Sequence, residues 1–133
     1  MIFIDANIFI AYDNIDDVHH KSAKNIFQNI DEGMYGDPIS SDYVFNEVVG
    51  VVYRKFGKER ALIIGEFLIA SVVLLPIHDH MINESWALFK HSPFSLNLVD
   101  CSHLIAMKST KITSIATFDK EFLKIPTIQT IEK

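Results

Sequence analysis

The chain has 133 residues, of which 49% are hydrophobic and 22% are charged. This composition fits one domain with a substantial core, spanning residues 1–133, and excludes a disordered tail or a collagen-like repeat. The formal net charge of −5 excludes a uniformly basic surface for binding nucleic acid. Contact with a polyanion therefore requires a local basic patch or a bound cation.

Three features predict a cytoplasmic protein. The only cysteine, Cys101, cannot form an intramolecular disulfide and so indicates a reducing compartment. The longest apolar stretch, residues 67–77, is well short of the roughly 18–20 residues that a transmembrane helix needs. The amino terminus lacks a basic segment and its apolar run is interrupted by Asp5, so a secretory signal is not expected.

Short apolar strands alternate with helical patterns in the first half of the chain. The run Ile2–Ile4 is apolar on both faces, as in a central parallel strand. Apolar residues then recur at helical spacing before Gly33, at Ala23, Ile26, Phe27 and Ile30. Ser41 can cap a second helix that ends at Gly57, and a third helix follows over about residues 58–70.

The second half repeats this alternation. A strand over residues 72–75 precedes a fourth helix that contains Ile82 and Trp86, and Asn97 can cap a fifth helix. Three shorter elements complete the chain: a strand at residues 112–116, a short helix at 118–124 and an edge strand at 128–131. Alternation of helices with strands that are apolar on both faces predicts a parallel α/β sandwich.

Acidic residues fall at the ends of the predicted strands and the starts of the predicted helices. Asp5 ends the first strand and Asp119 follows the third, and either can cap or end an element. Asp100 can complete a capping box with Asn97. Glu47 lies inside the second helix, where a solvated carboxylate is the default interpretation.

These separate interpretations do not explain why several acids should lie at the same edge of the sheet. A parallel sheet brings the carboxyl ends of its strands to one edge, where α/β proteins bind ligands. Carboxylates gathered there repel one another unless some protonate or a cation neutralises them. Oxygen ligands suit Mg²⁺ or Mn²⁺, and such an ion can hold phosphate oxygens and activate water. Asn7 and Thr117 stand beside Asp5 and Asp119 and can orient these carboxylates, or serve only as turn and cap residues.

Four segments of the chain together resemble a known family. They are residues 5–9 (DANIF), 42–49 (DYVFNEVV), 98–101 (LVDC) and 115–122 (IATFDKEF). In this order, and at this chain length, they resemble the PIN-domain ribonucleases, which include the VapC-type toxins of prokaryotic toxin–antitoxin pairs. Asn97 stands where Ser is common in that family, and it caps a helix equally well.

The resemblance implies a three-layer α/β/α sandwich with a central, mainly parallel sheet. It also implies cleavage of single-stranded or looped RNA with Mg²⁺ or Mn²⁺, a homodimer and a small antitoxin protein as partner. Carried over by position, the catalytic acids of the family fall on Asp5, Glu47, Asp100 and Asp119. Asp5, Asp100 and Asp119 would be the metal ligands, with Asn7 and Thr117 as supporting residues.

Other interpretations stay open from the sequence. The chain could be a stand-alone PIN-domain nuclease that processes RNA. A phosphohydrolase of the haloacid-dehalogenase type places a second Asp two residues after the first, where this chain has Asn7. A phospho-receiver module also needs an acidic pocket, but it gives no role to Glu47.

Several residues invite functional interpretations that we do not favour. The histidines of two short clusters, 19–20 and 78–80, are more typical of caps and surfaces than of metal sites. Cys101 is more typical of core packing than of a nucleophile. The basic cluster around Gly57 is more typical of a solvated helix junction than of an RNA contact. Apolar residues on the second and third helices, among them Val52, Ile63 and Phe67, suggest a dimer surface.

Overall fold

The computed structural model describes every residue, Met1–Lys133, and places five strands in one sheet. The strands are β1 (Ile2–Ile4), β2 (Pro38–Ser41), β3 (Val73–Leu75), β4 (Ser114–Ala116) and β5 (Gln129–Ile131). Their order across the sheet is β3-β2-β1-β4-β5, and every neighbouring pair is parallel. All carboxyl ends therefore lie at one edge, with β1 at the centre.

Six α-helices and one short 3₁₀ helix connect the strands. They are α1 (Ala6–Asp13), α2 (His20–Asp31), α3 (Asp42–Phe56), α4 (Lys58–Ser71), α5 (Asp79–His91), α6 (Leu98–Ser109) and the 3₁₀ helix Lys120–Lys124. Helix α1 packs against α2 and α3, α3 packs against α4, and α5 pairs with α6. This arrangement confirms the predicted three-layer α/β/α sandwich. None of the helices is long and apolar enough to cross a membrane.

The hydrophobic core lies between the sheet and its two helical layers. Phe3 of β1, Phe9 of α1 and Phe122 of the 3₁₀ helix are fully buried. Burial of each such side chain contributes about 1.5–3 kcal/mol to folding. The core therefore anchors both β1 and the segment after β4, whose ends form the edge described below.

The predicted helix caps are present in the structure. Val44 N donates to Ser41 Oγ at 3.2 Å, so Ser41 caps α3. At the start of α6, Asp100 N donates to Asn97 Oδ1 at 2.8 Å and Asn97 N donates to Asp100 Oδ2 at 2.9 Å. This reciprocal pair is a capping box.

Two elements were not predicted from the sequence. Helix α1 is buried on several sides, with Ala6, Ile8 and Phe9 all inaccessible, so its sequence lacks the amphipathic contrast that marks a surface helix. Strand β2 contains two buried serines, and Ser40 Oγ donates to Ile4 O at 2.7 Å. Because a backbone carbonyl satisfies this hydroxyl, a strand without apolar alternation can still lie inside the sheet.

The suggested dimer surface is only partly available. Val52 is buried between α3 and the rest of the core, so its assignment to an outer surface is wrong. Phe67 stacks on Tyr12, with ring centroids 5.1 Å apart, and is also engaged within the chain. Ile63 is exposed on α4, as are its neighbour Leu62 and Tyr53 of α3.

Candidate active site at the carboxyl edge of the sheet

A cavity of about 470 Å³ opens at the carboxyl edge of the sheet. Its wall includes the four acids singled out in the sequence, Asp5, Glu47, Asp100 and Asp119. Asp5 comes from the end of β1, Glu47 from α3, Asp100 from the first turn of α6 and Asp119 from the segment after β4. The fold thus brings together acids that lie far apart in the chain.

Asp5 is held by hydrogen bonds on both of its carboxylate oxygens. Oδ1 accepts from Ala6 N at 2.7 Å and from His103 Nε2 at 3.1 Å. Oδ2 accepts from Thr117 Oγ1 at 2.7 Å and from Asn7 Nδ2 at 2.9 Å. These four hydrogen bonds, two on each oxygen, fix the orientation of the Asp5 carboxylate.

These contacts decide the ionisation of Asp5. Burial by itself raises the pKa of Asp5, but the hydrogen bonds from His103 and Thr117 outweigh it and hold the pKa below 3.8. Asp5 is therefore an ionised carboxylate at neutral pH. It supplies a fixed negative charge to the floor of the cavity.

Asn7 and Thr117 link the ends of β1 and β4. Asn7 Nδ2 donates to Thr117 Oγ1 at 3.0 Å as well as to Asp5, and its Oδ1 accepts from Phe118 N at 3.1 Å. Thr117 Oγ1 also accepts from Asp119 N at 3.1 Å. The two residues named in the sequence as candidate supports thus contact one or both of the neighbouring acids directly.

Asp100 and Glu47 experience the opposite electrostatic balance to Asp5. Burial raises the pKa of the Asp100 carboxyl, and the charges of Asp5 and Asp119 raise it further against the capping-box bond from Asn97. Glu47 is exposed, yet loss of water on its cavity side and the charge of Asp5 raise its pKa too. Mutual repulsion of this kind is what a cation in the cavity would relieve.

Asp119 has both a capping role and a place in the cavity wall. Its Oδ1 accepts from Glu121 N at 2.9 Å at the start of the 3₁₀ helix. Asp100 is similar, because the capping box uses its Oδ2 while the residue lines the cavity. Both acids therefore cap a helix and line the cavity at the same time.

Sequence reasoning missed His103, which is almost completely buried in the cavity wall beside Asp5. Its position three residues after Asp100 places both on one face of α6. That spacing was the available signal. The spacing indicates a role for His103 only once the structure shows that α6 lies against the end of β1.

The other residues considered in the sequence lie elsewhere. His78 and His80 stack on each other at the start of α5, and His19 stacks on Phe118 with ring centroids 4.3 Å apart. None of these histidines lines the acidic cavity. Cys101 is buried, and burial raises the pKa of its thiol, which is unfavourable for a nucleophile.

The basic cluster at the junction of α3 and α4 is partly used within the chain. Arg60 Nη2 lies 2.6 Å from Asp13 Oδ2, and the Arg60 guanidinium sits over the Phe56 ring at 3.8 Å. Lys58 Nζ lies 5.8 Å from the centre of the Tyr53 ring. These contacts agree with a helix junction and lie outside the cavity wall.

The donor set of the cavity fits a hydrated divalent ion. No three Asp, Glu, His or Cys side chains are close enough together to hold a metal by themselves, which argues against a closed zinc site. Mg²⁺ keeps several of its waters and binds through one or two carboxylates. The oxygen atoms of Asp5, Glu47, Asp100 and Asp119, with the repulsion among them, suit that mode.

The fold and the cavity define a class: small α/β/α domains whose all-parallel sheet carries an acidic pocket at its carboxyl edge. The sequence pattern of the PIN domain matches residues 2–128. The chain belongs to the PIN domain family, which confirms the resemblance in its sequence and the PIN-type ribonuclease interpretation. No curated protein matches the chain in sequence.

Solved structures of toxins have the same fold. The sarcin–ricin loop cleaving toxin VapC20 of Mycobacterium tuberculosis superposes with a TM-score of 0.82 at 20% identity, covering 95% of each chain. VapBC2 of Rickettsia felis, bound to a DNA fragment from its promoter, gives 0.73 at 14% identity, covering 98% of this chain and 97% of the other. A toxin–antitoxin complex from Klebsiella pneumoniae gives 0.70 at 17% identity, covering 96% and 95%. At these identities the likeness shows the fold.

Proposed function

We propose that this chain is an endoribonuclease that depends on Mg²⁺ or Mn²⁺ and is the toxin of a toxin–antitoxin pair. The observation that supports it is one cavity, in a PIN domain, lined by Asp5, Glu47, Asp100 and Asp119. In this proposal Asp5, Asp100 and Asp119 hold the ion, directly or through water, and Glu47 completes the site. The lone buried Cys101 is compatible with action in the cytoplasm.

A divalent ion bound there supplies positive charge for the phosphate oxygens and a more acidic water. The protein supplies orientation. Asn7 and Thr117 keep the Asp5 carboxylate in one rotamer, and the capping box holds Asp100 at the start of α6. Glu47 is exposed and its pKa is raised, which suits it to accept a proton from water at the reacting phosphate.

The first experiment compares the parent chain with Asp5→Asn and Asp100→Asn on a panel of single-stranded and looped RNAs. Both variants remove a charge and keep the side-chain shape. We expect cleavage by the parent with Mg²⁺ or Mn²⁺, none with EDTA, and a loss of about 10²-fold or more in each variant. Asp31→Asn, at an exposed site on α2, is the matched control and should cleave like the parent. Equal activity of all four proteins would refute the assignment.

The partners belong to the same proposal. Among the structural neighbours, one is a toxin–antitoxin complex and another is VapBC2 on promoter DNA, which supports a cognate antitoxin for this chain. A second copy of the chain could dock on the exposed apolar residues of α3 and α4, Tyr53, Leu62 and Ile63. Sedimentation should show a dimer at micromolar concentration and a monomer for Ile63→Glu. A monomeric parent would refute the dimer alone.

The toxin and a stand-alone RNA-processing nuclease can be separated genetically. A toxin should arrest growth when expressed alone and should be neutralised by the product of a short upstream gene. We expect that gene to encode a DNA-binding amino terminus. Growth unaffected by an active nuclease would favour the processing enzyme.

A further inference from the structure

We propose that His103 is a positioning residue for Asp5, an inference that rests on the proposed nuclease function. His103 Nε2 lies 3.1 Å from Asp5 Oδ1, and the two residues are 1% and 6% exposed. A hydrogen bond so deeply buried is protected from exchange with water. It joins α6 to the end of β1, the two elements that contribute Asp100 and Asp5.

The hydrogen-bond pattern selects the tautomer of the ring. The Asp5 carboxylate can only accept, so the hydrogen must be on His103 Nε2. Nδ1 is buried without a partner. A hydrogen on Nδ1 would leave a buried donor unpaired and would turn the Nε2 lone pair toward a carboxylate. Both consequences are unfavourable.

Packing fixes the ring itself. The His103 ring lies against Phe3 of β1, with centroids 5.0 Å apart and a tilt of 41°. Phe3 is fully buried in the core, so this side of the imidazole cannot move without disturbing the sheet. The core therefore fixes the position of the His103 ring, and the ring in turn fixes the position of Asp5 Oδ1.

The role follows from how the four donors to Asp5 differ. Ala6 and Asn7 are close to Asp5 in the chain, and Thr117 comes from the neighbouring strand end. Only His103 reaches Asp5 from α6, the helix that carries Asp100. It thus couples the direction of the Asp5 carboxylate to the position of Asp100. In a site that binds an ion through two such carboxylates, this coupling sets their separation.

Two substitutions separate the hydrogen bond from the packing. His103→Phe keeps a ring against Phe3 and removes the donor, whereas His103→Gln keeps an N–H donor within reach of Asp5. His20→Phe is the control, because His20 is a half-buried histidine whose Nδ1 lies 2.9 Å from Ala11 O, outside the cavity. Circular dichroism and thermal unfolding without metal establish that each variant is folded.

The test measures Mn²⁺ affinity by calorimetry without RNA, and kcat and KM for RNA cleavage. We expect His103→Phe to weaken Mn²⁺ binding by about 10–100-fold and to lower kcat more than it raises KM. His103→Gln should recover part of both losses, and His20→Phe should match the parent. Unchanged or tighter Mn²⁺ binding by folded His103→Phe would overturn the positioning role.

A second measurement keeps the proposal testable if His103→Phe does not fold. Nitrogen-15 NMR of the parent imidazole should show hydrogen on Nε2; an Nε2 without hydrogen would overturn the proposal. Asp100→Asn in the same assays separates the role of His103 from the nuclease function itself. If Asp100→Asn loses cleavage while His103→Phe keeps it, only the role of His103 fails. If Asp100→Asn cleaves RNA like the parent, the proposed function itself fails and the role of His103 falls with it.

Discussion

The Thr117 hydroxyl lies 2.7 Å from Asp5 Oδ2, joining the end of β4 to the end of β1. Thr117 Oγ1 also accepts hydrogen bonds from Asn7 Nδ2 at 3.0 Å and from Asp119 N at 3.1 Å. Its single donor and both of its lone pairs are therefore used. One hydroxyl thus sets the positions of two of the acids in the cavity relative to each other.

Thr117→Val tests this link. The change keeps a β-branched side chain but removes the partner of Asp119 N, of one Asn7 Nδ2 hydrogen and of one lone pair of Asp5. We expect a loss of about 1–3 kcal/mol in the free energy of unfolding, measured in urea, together with reduced RNA cleavage. Thr130→Val on β5 is a matched control, because Thr130 Oγ1 is buried with no partner and its removal should be neutral or stabilising. Equal destabilisation by the two changes would contradict the network.

The pH dependence of stability follows from the shifted carboxyl groups. Folding raises the pKa of Asp100 above 3.8 and that of Glu47 above 4.5, so the folded state binds protons more tightly than the unfolded chain. Stability without metal should therefore increase as the pH falls from neutral through these raised pKa values. The lowered pKa of Asp5 has the opposite sign, and its contribution is lost as the pH falls further, below 3.8.

Thermal unfolding in EDTA between about pH 7 and pH 3 should show a maximum in the melting temperature on the acid side of neutral. Glu47→Gln removes one of the two groups with a raised pKa and should flatten the rise toward that maximum. Asp31→Asn serves as the control for removal of an exposed acid. A melting temperature that falls steadily from neutral pH in the parent would contradict the proposed repulsion.

Addition of a divalent ion should stabilise the folded chain. An ion that binds only the folded state stabilises it by about 2.7 kcal/mol at a concentration of 100 times its Kd. We therefore expect Mg²⁺ or Mn²⁺ to raise the melting temperature at neutral pH and EDTA to reverse the rise. Asp100→Asn should lose most of this response, and Asp31→Asn should keep it. An identical response in both variants would place the ion outside the cavity.

Gly36 is expected to be the most sensitive glycine. It has φ +72°, and a Cβ at this position would lie 2.9 Å from Met1 N, next to β1. Gly33 has a similar φ of +79°, but a Cβ there would have no heavy atom within 4 Å. Gly33→Ala should therefore cost about 1 kcal/mol from backbone strain alone, and Gly36→Ala clearly more, in urea unfolding. Equal costs would show that the amino terminus moves aside freely.

The alternation of helices and strands could be predicted because periodicity is a local property of the chain. Ile2–Ile4, the Ser41 cap and the Asn97 capping box all lie where their local patterns indicated. Strand β2 and helix α1 could not be predicted in the same way. Ser40 is accepted inside the sheet only because the carbonyl of Ile4, distant in sequence, takes its hydrogen.

The sequence by itself determined which acids to consider, because Asp5, Glu47, Asp100 and Asp119 lie at positions that motif order and strand ends identify. Only the tertiary structure decided that they line one cavity, that four hydrogen bonds orient Asp5, and that His103 reaches it from α6. The physical reason is that hydrogen bonds and charge repulsion depend on distances of a few ångströms. Those distances are set by how the sheet gathers its strand ends and by how the core seats α6 against β1.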